Sequence, residues 1–211
     1  DLLMSVGSSL LSQGANITVN VLGDASLNKL WSGGGIISIT ADNIINQGSP
    51  GATLHADGAL ITLNPSGDVG GTDFTSAVVI NDAILDIVTT GTTQNVYIIN
   101  SGAADLTIND VDYDGTGTFD FNVRMESTAD LIVSNQINDS TPASTDVATI
   151  FLETQNSSSD IILNDGTSVK SYGGDIGYIS AGFIGLANTE TSGGALNLTA
   201  VNDIYDNSNT N

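Results

Sequence analysis

The stretch "NDVDYDGTGTFDFN", Asn109 to Asn122, places Asp110, Asp112 and Asp114 at alternate positions ahead of Gly115. That is how a calcium loop of the EF-hand type opens, with oxygen ligands at positions 1, 3 and 5, a glycine turn at 6 and a backbone carbonyl at 7. Thr116 stands at the seventh position. The bidentate Glu that closes such a loop belongs at position 12, which is Phe121; Asp120, one place early, is the local substitute. Two readings follow. In one, Asp110, Asp112, Asp114, Thr116 and Asp120 form half of a calcium site, completed by Asp82 and Asp86 from an adjoining segment. In the other, the three carboxylates are an acidic strand face leading into a glycine turn, about 7 Å apart and repelling modestly through water.

Other chemistries are poorly supplied. The one histidine is His55 in "ATLHADGAL", with no G-x-S-x-G elbow to accompany it. A histidine-based zinc site falls short on ligand count, and the imidazole reads as a surface or turn residue. The absence of cysteine excludes disulfides and thiolate metal sites. "GGG" at 33–35 and "VGG" at 69–71 read as turns, since neither sits in a phosphate-binding motif. Tyr172 and Tyr178 flank "GGDIG" and offer two readings, as stacking faces for a sugar or as residues completing a strand face.

The elements that position these residues follow from composition. Three Lys+Arg stand against 24 Asp+Glu in 211 residues, a net charge of -21. The cations Lys29, Arg124 and Lys170 are scattered, which argues against nucleic acid or anionic membrane as a partner bound through a basic patch. All the acids but Glu126, Glu153 and Glu190 are Asp, a residue that favours turns over helix interiors. No apolar run is long enough to span a membrane.

A unit recurs along the chain: a small or polar lead-in, apolar–x–apolar, then usually Asn, Thr or Ser. It appears as "GANITVN", "GGIISIT", "GALITLN", "DAILDIV", "AADLTIN", "TADLIVS", "SSDIILN", "GGDIGYI" and "GGALNLT". The leading apolar residues are Ile17, Ile37, Ile61, Leu85, Leu106, Leu131, Ile161, Ile176 and Leu196. Their mean spacing is about 22 residues, with "NDSTPASTD" at 138–146 read as a loop insertion. Period-two alternation within units and Gly, Asn, Asp and Ser between them predict short strands and an all-β fold. The favoured architecture is a β-solenoid with coils of about 22 residues, two or three short strands to a coil. Tandem β-sandwich domains are the alternative; a chain with one Trp and a core of Ile, Leu, Val and Ala suits the narrow solenoid better. Asn after the strands suggests a ladder along one corner.

The units "SGGALNLTAVNDI" (192–204) and "GGIISITADNI" (34–44) carry a family likeness, with a partial echo in "SYGGDIGYISAG" (171–182). They resemble the repeats of filamentous-haemagglutinin-like adhesins and related giant bacterial surface proteins. The resemblance implies a right-handed parallel β-helix in which 1–211 is one segment of a longer repeat protein, an extracellular or cell-surface location, and a non-catalytic rod for attachment or envelope assembly. Its implied partners are neighbouring segments of the same or a like chain and matrix or host glycans. An end-to-end filament or surface-layer subunit is one alternative. A polysaccharide-degrading β-helix enzyme is another: hydrolases of that shape need only two or three carboxylates on adjacent coils. Lyases also want basic residues beside an acidic cluster, and three scattered cations supply that poorly.

Overall fold

Within each short segment apolar and polar residues alternate, and in the computed structural model that alternation becomes burial. Ile17 and Val19 of the strand Ile17–Asn20 face inward while Thr18 and Asn20 face solvent. The same period runs through Leu60–Pro65, Thr118–Met125 and Val147–Thr154. A strand with one apolar face must cover that face with another layer. This chain does so by winding. The structure describes residues 1–48, 53–115, 117–138 and 147–208. They form a β-solenoid of about 8 turns with roughly 24 residues per coil, all-parallel sheets and no helix. At about 4.8 Å per coil, the stack is a rod roughly 40 Å long.

One sheet has nine strands, from Leu10–Leu11 to Leu196–Ala200; a second has eleven, its main path running from Ile17–Asn20 to Ile204–Asp206. The first coils are three-sided, the third side being Leu2–Leu3, Ala25–Leu27 and Ile44–Asn46. The middle coils flatten to two sides built from the eight-residue strands Thr93–Asn100, Leu106–Tyr113, Thr118–Met125 and Val147–Thr154. A third side returns later as Ser168–Lys170 and Asn188–Glu190, attached to the second sheet through Gln136 and Ile137.

Columns of apolar residues make the core. Ile17, Ile37, Ile61 and Leu85 stack in register, as the repeat predicts. Leu106, Leu131, Ile161 and Ile184 form a second column. Medium-sized residues dominate, but the corner joining the two flat sheets is filled by aromatics. Tyr113 and Phe119 stack at 5.0 Å, with Phe121 6.1 Å from Phe119, and all three are buried.

Three details of the repeat are corrected. Leu85 pairs with Ile108 rather than Leu106, so the column shifts by two residues and keeps the same face inward. Ile176 and Leu196 lie on the nine-stranded sheet, paired with Ile150 and with each other, although the repeat groups them with residues of the other sheet. The apolar–x–apolar signature marks any inward-facing strand and does not say which side of the coil it builds. Mixing the two sides shortened the apparent period to 22 residues. Of the insertion expected at 138–146, only Asn138 is among the described residues; 139–146 lie outside them.

Candidate functional site

The strand Leu106–Tyr113 runs further into the acidic stretch than a turn reading allows. Asp110 and Asp112 are therefore on the strand, on its outer side, flanking the buried Val111. Asp114 follows at the exposed corner, its N–H donating to the Thr89 carbonyl. Parallel register sets Asp86 beside Asp110 on the preceding coil, with Gln136 on the next. Gln136 Nε2 donates to Asp112 Oδ1 at 3.0 Å. Asp120 belongs to Thr118–Met125 on the other sheet, beside Asn95 and Thr149, so the corner separates it from Asp110 and Asp112. Thr116 lies outside the described residues. Gly115 has a packing reason of its own, since a Cβ there would stand 1.8 Å from the Gly91 carbonyl oxygen.

Much of the acidity has a different use. The residue just before a strand repeatedly accepts a hydrogen bond from the backbone of the following coil. Asp105 Oδ1 accepts from the Asp130 N–H (2.9 Å), Asp130 Oδ1 from the Asp160 N–H (2.8 Å), and Asp160 Oδ1 from the Phe183 N–H (2.8 Å). Asn16 and Asp175 do the same for Ile36 and Ala195. A second column runs from Asn43 through Asp68 to the Asn95 N–H. These bonds satisfy corner N–H groups that no ladder partner reaches. The ladder expected after the strands thus stands before them, and it is largely Asp. In the first column burial raises the Asp130 pKa, opposed by its bond from Asp160 and reinforced by repulsion from Asp160 and Asp105.

Side chains converge elsewhere. Among the described residues, His55, Asp57 and Asp82 form a group whose ligand atoms all lie within 4.8 Å of one another. His55 ends the strand Leu54–His55 and points outward in register with Trp31 on one coil and Asn81 on the next. That register stacks the Trp31 indole on the imidazole, centroids 5.6 Å apart and planes at 21°. Asp57 and Asp82 both occupy left-handed backbone positions (φ 49° each), which Asp tolerates better than most residues. The corner spans residues 56–59 in one coil and only 82–83 in the next, which sets Asp82 beside His55. Nε2 of His55 lies 2.7 Å from Asp57 Oδ1 and 3.4 Å from Asp82 Oδ2. It is shielded from solvent, yet makes no aligned hydrogen bond. The remaining carboxylate oxygens are held from behind: Trp31 Nε1 donates to Asp57 Oδ2 (2.8 Å) and the Ala104 N–H to Asp82 Oδ1 (3.1 Å). A groove of about 560 Å³ lined by Asp57, Asp82, Asp105 and Thr107 opens alongside.

Sequence reasoning assigned His55 to a surface or turn and missed this convergence. "HAD" carries a local signal, because Asp57 follows at a spacing that a turn can fold back. Asp82 could be found only by knowing the coil register. The expected partner of the Asp110 stretch on the preceding coil is Asp86, while Asp82 turns to His55.

The cations are held in separate places. Arg124 donates through Nε to Glu153 Oε2 (2.6 Å) and lies 3.9 Å from the Phe74 ring centroid, while Lys29 Nζ sits 5.6 Å from that of Trp31. Tyr178 is fully buried, so it completes a strand face and offers no sugar-stacking surface. No helix is long and apolar enough to cross a membrane among the described residues. Fold and register together define a β-helix repeat protein. No protein-family model, curated protein or solved structure matches the chain.

Proposed function

We propose that the chain is a non-catalytic rod segment of a large secreted or cell-surface prokaryotic protein, serving attachment or envelope assembly. The observation that carries this reading is the unbroken parallel stacking of nine strands along one side and the path of nine along the other. Such a quasi-one-dimensional stack transmits force along its axis and presents corner residues repeatedly along its length. The adhesin-like units at 34–44 and 192–204 support the attachment role.

The test uses the isolated chain on glycan-coated and bare surfaces, with release of sugar fragments followed in parallel. Retention without turnover is the expected result; steady release of oligosaccharide would replace the rod with an enzyme.

A further inference from the structure

We propose that His55, Asp57 and Asp82 bind one divalent transition ion of the zinc type, which staples two successive coils. The carrying observation is the Nε2 atom of His55, shielded from water, without an aligned hydrogen bond, and faced by one oxygen from each of two carboxylates. With metal–ligand bonds of about 2.1 Å, neighbouring ligands in a tetrahedral site lie about 3.4 Å apart and in an octahedral site about 3.0 Å. The separations of 2.7 and 3.4 Å from Nε2 lie near those values, and all three ligand atoms stand within 4.8 Å of one another, within side-chain adjustment of a common ion.

The outer contacts divide the work of each carboxylate. Trp31 Nε1 occupies Asp57 Oδ2, leaving Oδ1 turned to the imidazole. The Ala104 N–H occupies Asp82 Oδ1, leaving Oδ2 turned the same way. Donors that hold the distal atoms of metal ligands fix ligand orientation and strengthen binding. The groove beside Asp57 and Asp82 admits water to the remaining coordination positions. One imidazole and two carboxylates suit zinc, cobalt or manganese, whereas calcium takes an all-oxygen shell. The ion spans the coil of His55 and Asp57 and the coil of Asp82. Through Trp31 it reaches a third.

The chain has one Trp and one His, in contact, so spectroscopy reads this site alone. Untagged protein stripped with chelator is titrated with zinc by calorimetry and with cobalt by Trp31 fluorescence. One saturable event at micromolar metal is expected, with quenching by cobalt and a shift of the single imidazole signal in NMR spectra under zinc. His55→Ala abolishes it, and Asp82→Asn weakens it at least about tenfold. Asp110→Asn, in the acidic stretch, leaves it unchanged. If the imidazole signal of the wild-type protein does not move under excess zinc, the proposal is wrong whatever the variants do. Equal zinc binding by folded His55→Ala overturns it too, and assigns the uptake to the acidic surface.

Discussion

Replacing Asp130 by Asn separates the two roles of the corner aspartates. The amide keeps an Oδ1 that can accept the Asp160 N–H and removes the charge. Coils stack at about 4.8 Å, and two unit charges at that distance repel by about 0.9 kcal/mol through water. Asp105 and Asp160 lie on either side, and salt at physiological strength screens about half of each repulsion. Against this stands the weaker bond of a neutral acceptor. The raised pKa of Asp130 gives the net sign, since burial and repulsion together outweigh the hydrogen bond from Asp160. Asp130→Asn is therefore expected to stabilise the protein by about 0.5–1 kcal/mol at pH 7 and low salt.

The pH dependence follows from the same direction. A carboxylate whose folded pKa is raised binds its proton more tightly in the native state. The wild-type chain thus recovers stability as pH falls through that folded pKa towards the 3.8 of an unperturbed aspartate. The variant has nothing to recover, so its advantage shrinks over that window and vanishes below it. Urea unfolding midpoints at constant m, across pH and salt, measure this. Asp130→Ala, which strands the Asp160 N–H, should instead cost about 1 kcal/mol or more at every pH. A lower midpoint for Asp130→Asn at neutral pH and low salt, or an advantage unchanged below pH 3.8, would refute the reasoning.

Gly115→Ala should destabilise the corner by about 2–4 kcal/mol, because its Cβ would meet the Gly91 carbonyl oxygen at 1.8 Å and force two coils apart; denaturant unfolding reads the loss. Tyr178→Phe should change stability by less than about 1 kcal/mol in either direction, since burial pushes the phenol's pKa up while its one polar neighbour, the buried Thr189 hydroxyl, is poorly aligned with it and would lose it. Thermal unfolding distinguishes that from a larger loss. Calcium at the acidic stretch would use Asp110, Asp112 and the register neighbour Asp86. Calorimetry at millimolar calcium should then give heat that Asp110→Asn removes, and no heat in the wild-type protein sinks the site.

The strands were legible because burial follows a period of two that Ile17 and Val19, or Leu131 and Val133, display directly. Coil register was legible wherever one side kept its spacing, as from Ile17 to Leu85. It failed where the chain changed sides. Ile176 looks like Ile161 in sequence because inward-facing strands on either side need the same residues. The half-site at Asp110 and the convergence at His55 fail for a related reason. A motif within one coil reports side chains spaced along a strand, whereas a ligand set in a solenoid is assembled across coils at the stacking distance. Asp120 is close to Asp110 in sequence and on another sheet; Asp82 is remote from His55 in sequence and 3.4 Å away.

The acidity itself can be divided on these terms. Asn16 and Asn43 accept the same corner N–H bonds as Asp105, Asp130, Asp160 and Asp175, without a charge. The ladder therefore requires a short side-chain oxygen and is indifferent to ionisation. Choosing Asp at successive corners sets like charges along the column; at Asp130 burial first, and then repulsion from Asp160 and Asp105, raise the pKa against the hydrogen bond from Asp160. The salt dependence of Asp130→Asn distinguishes a purely repulsive column from one that cations already neutralise.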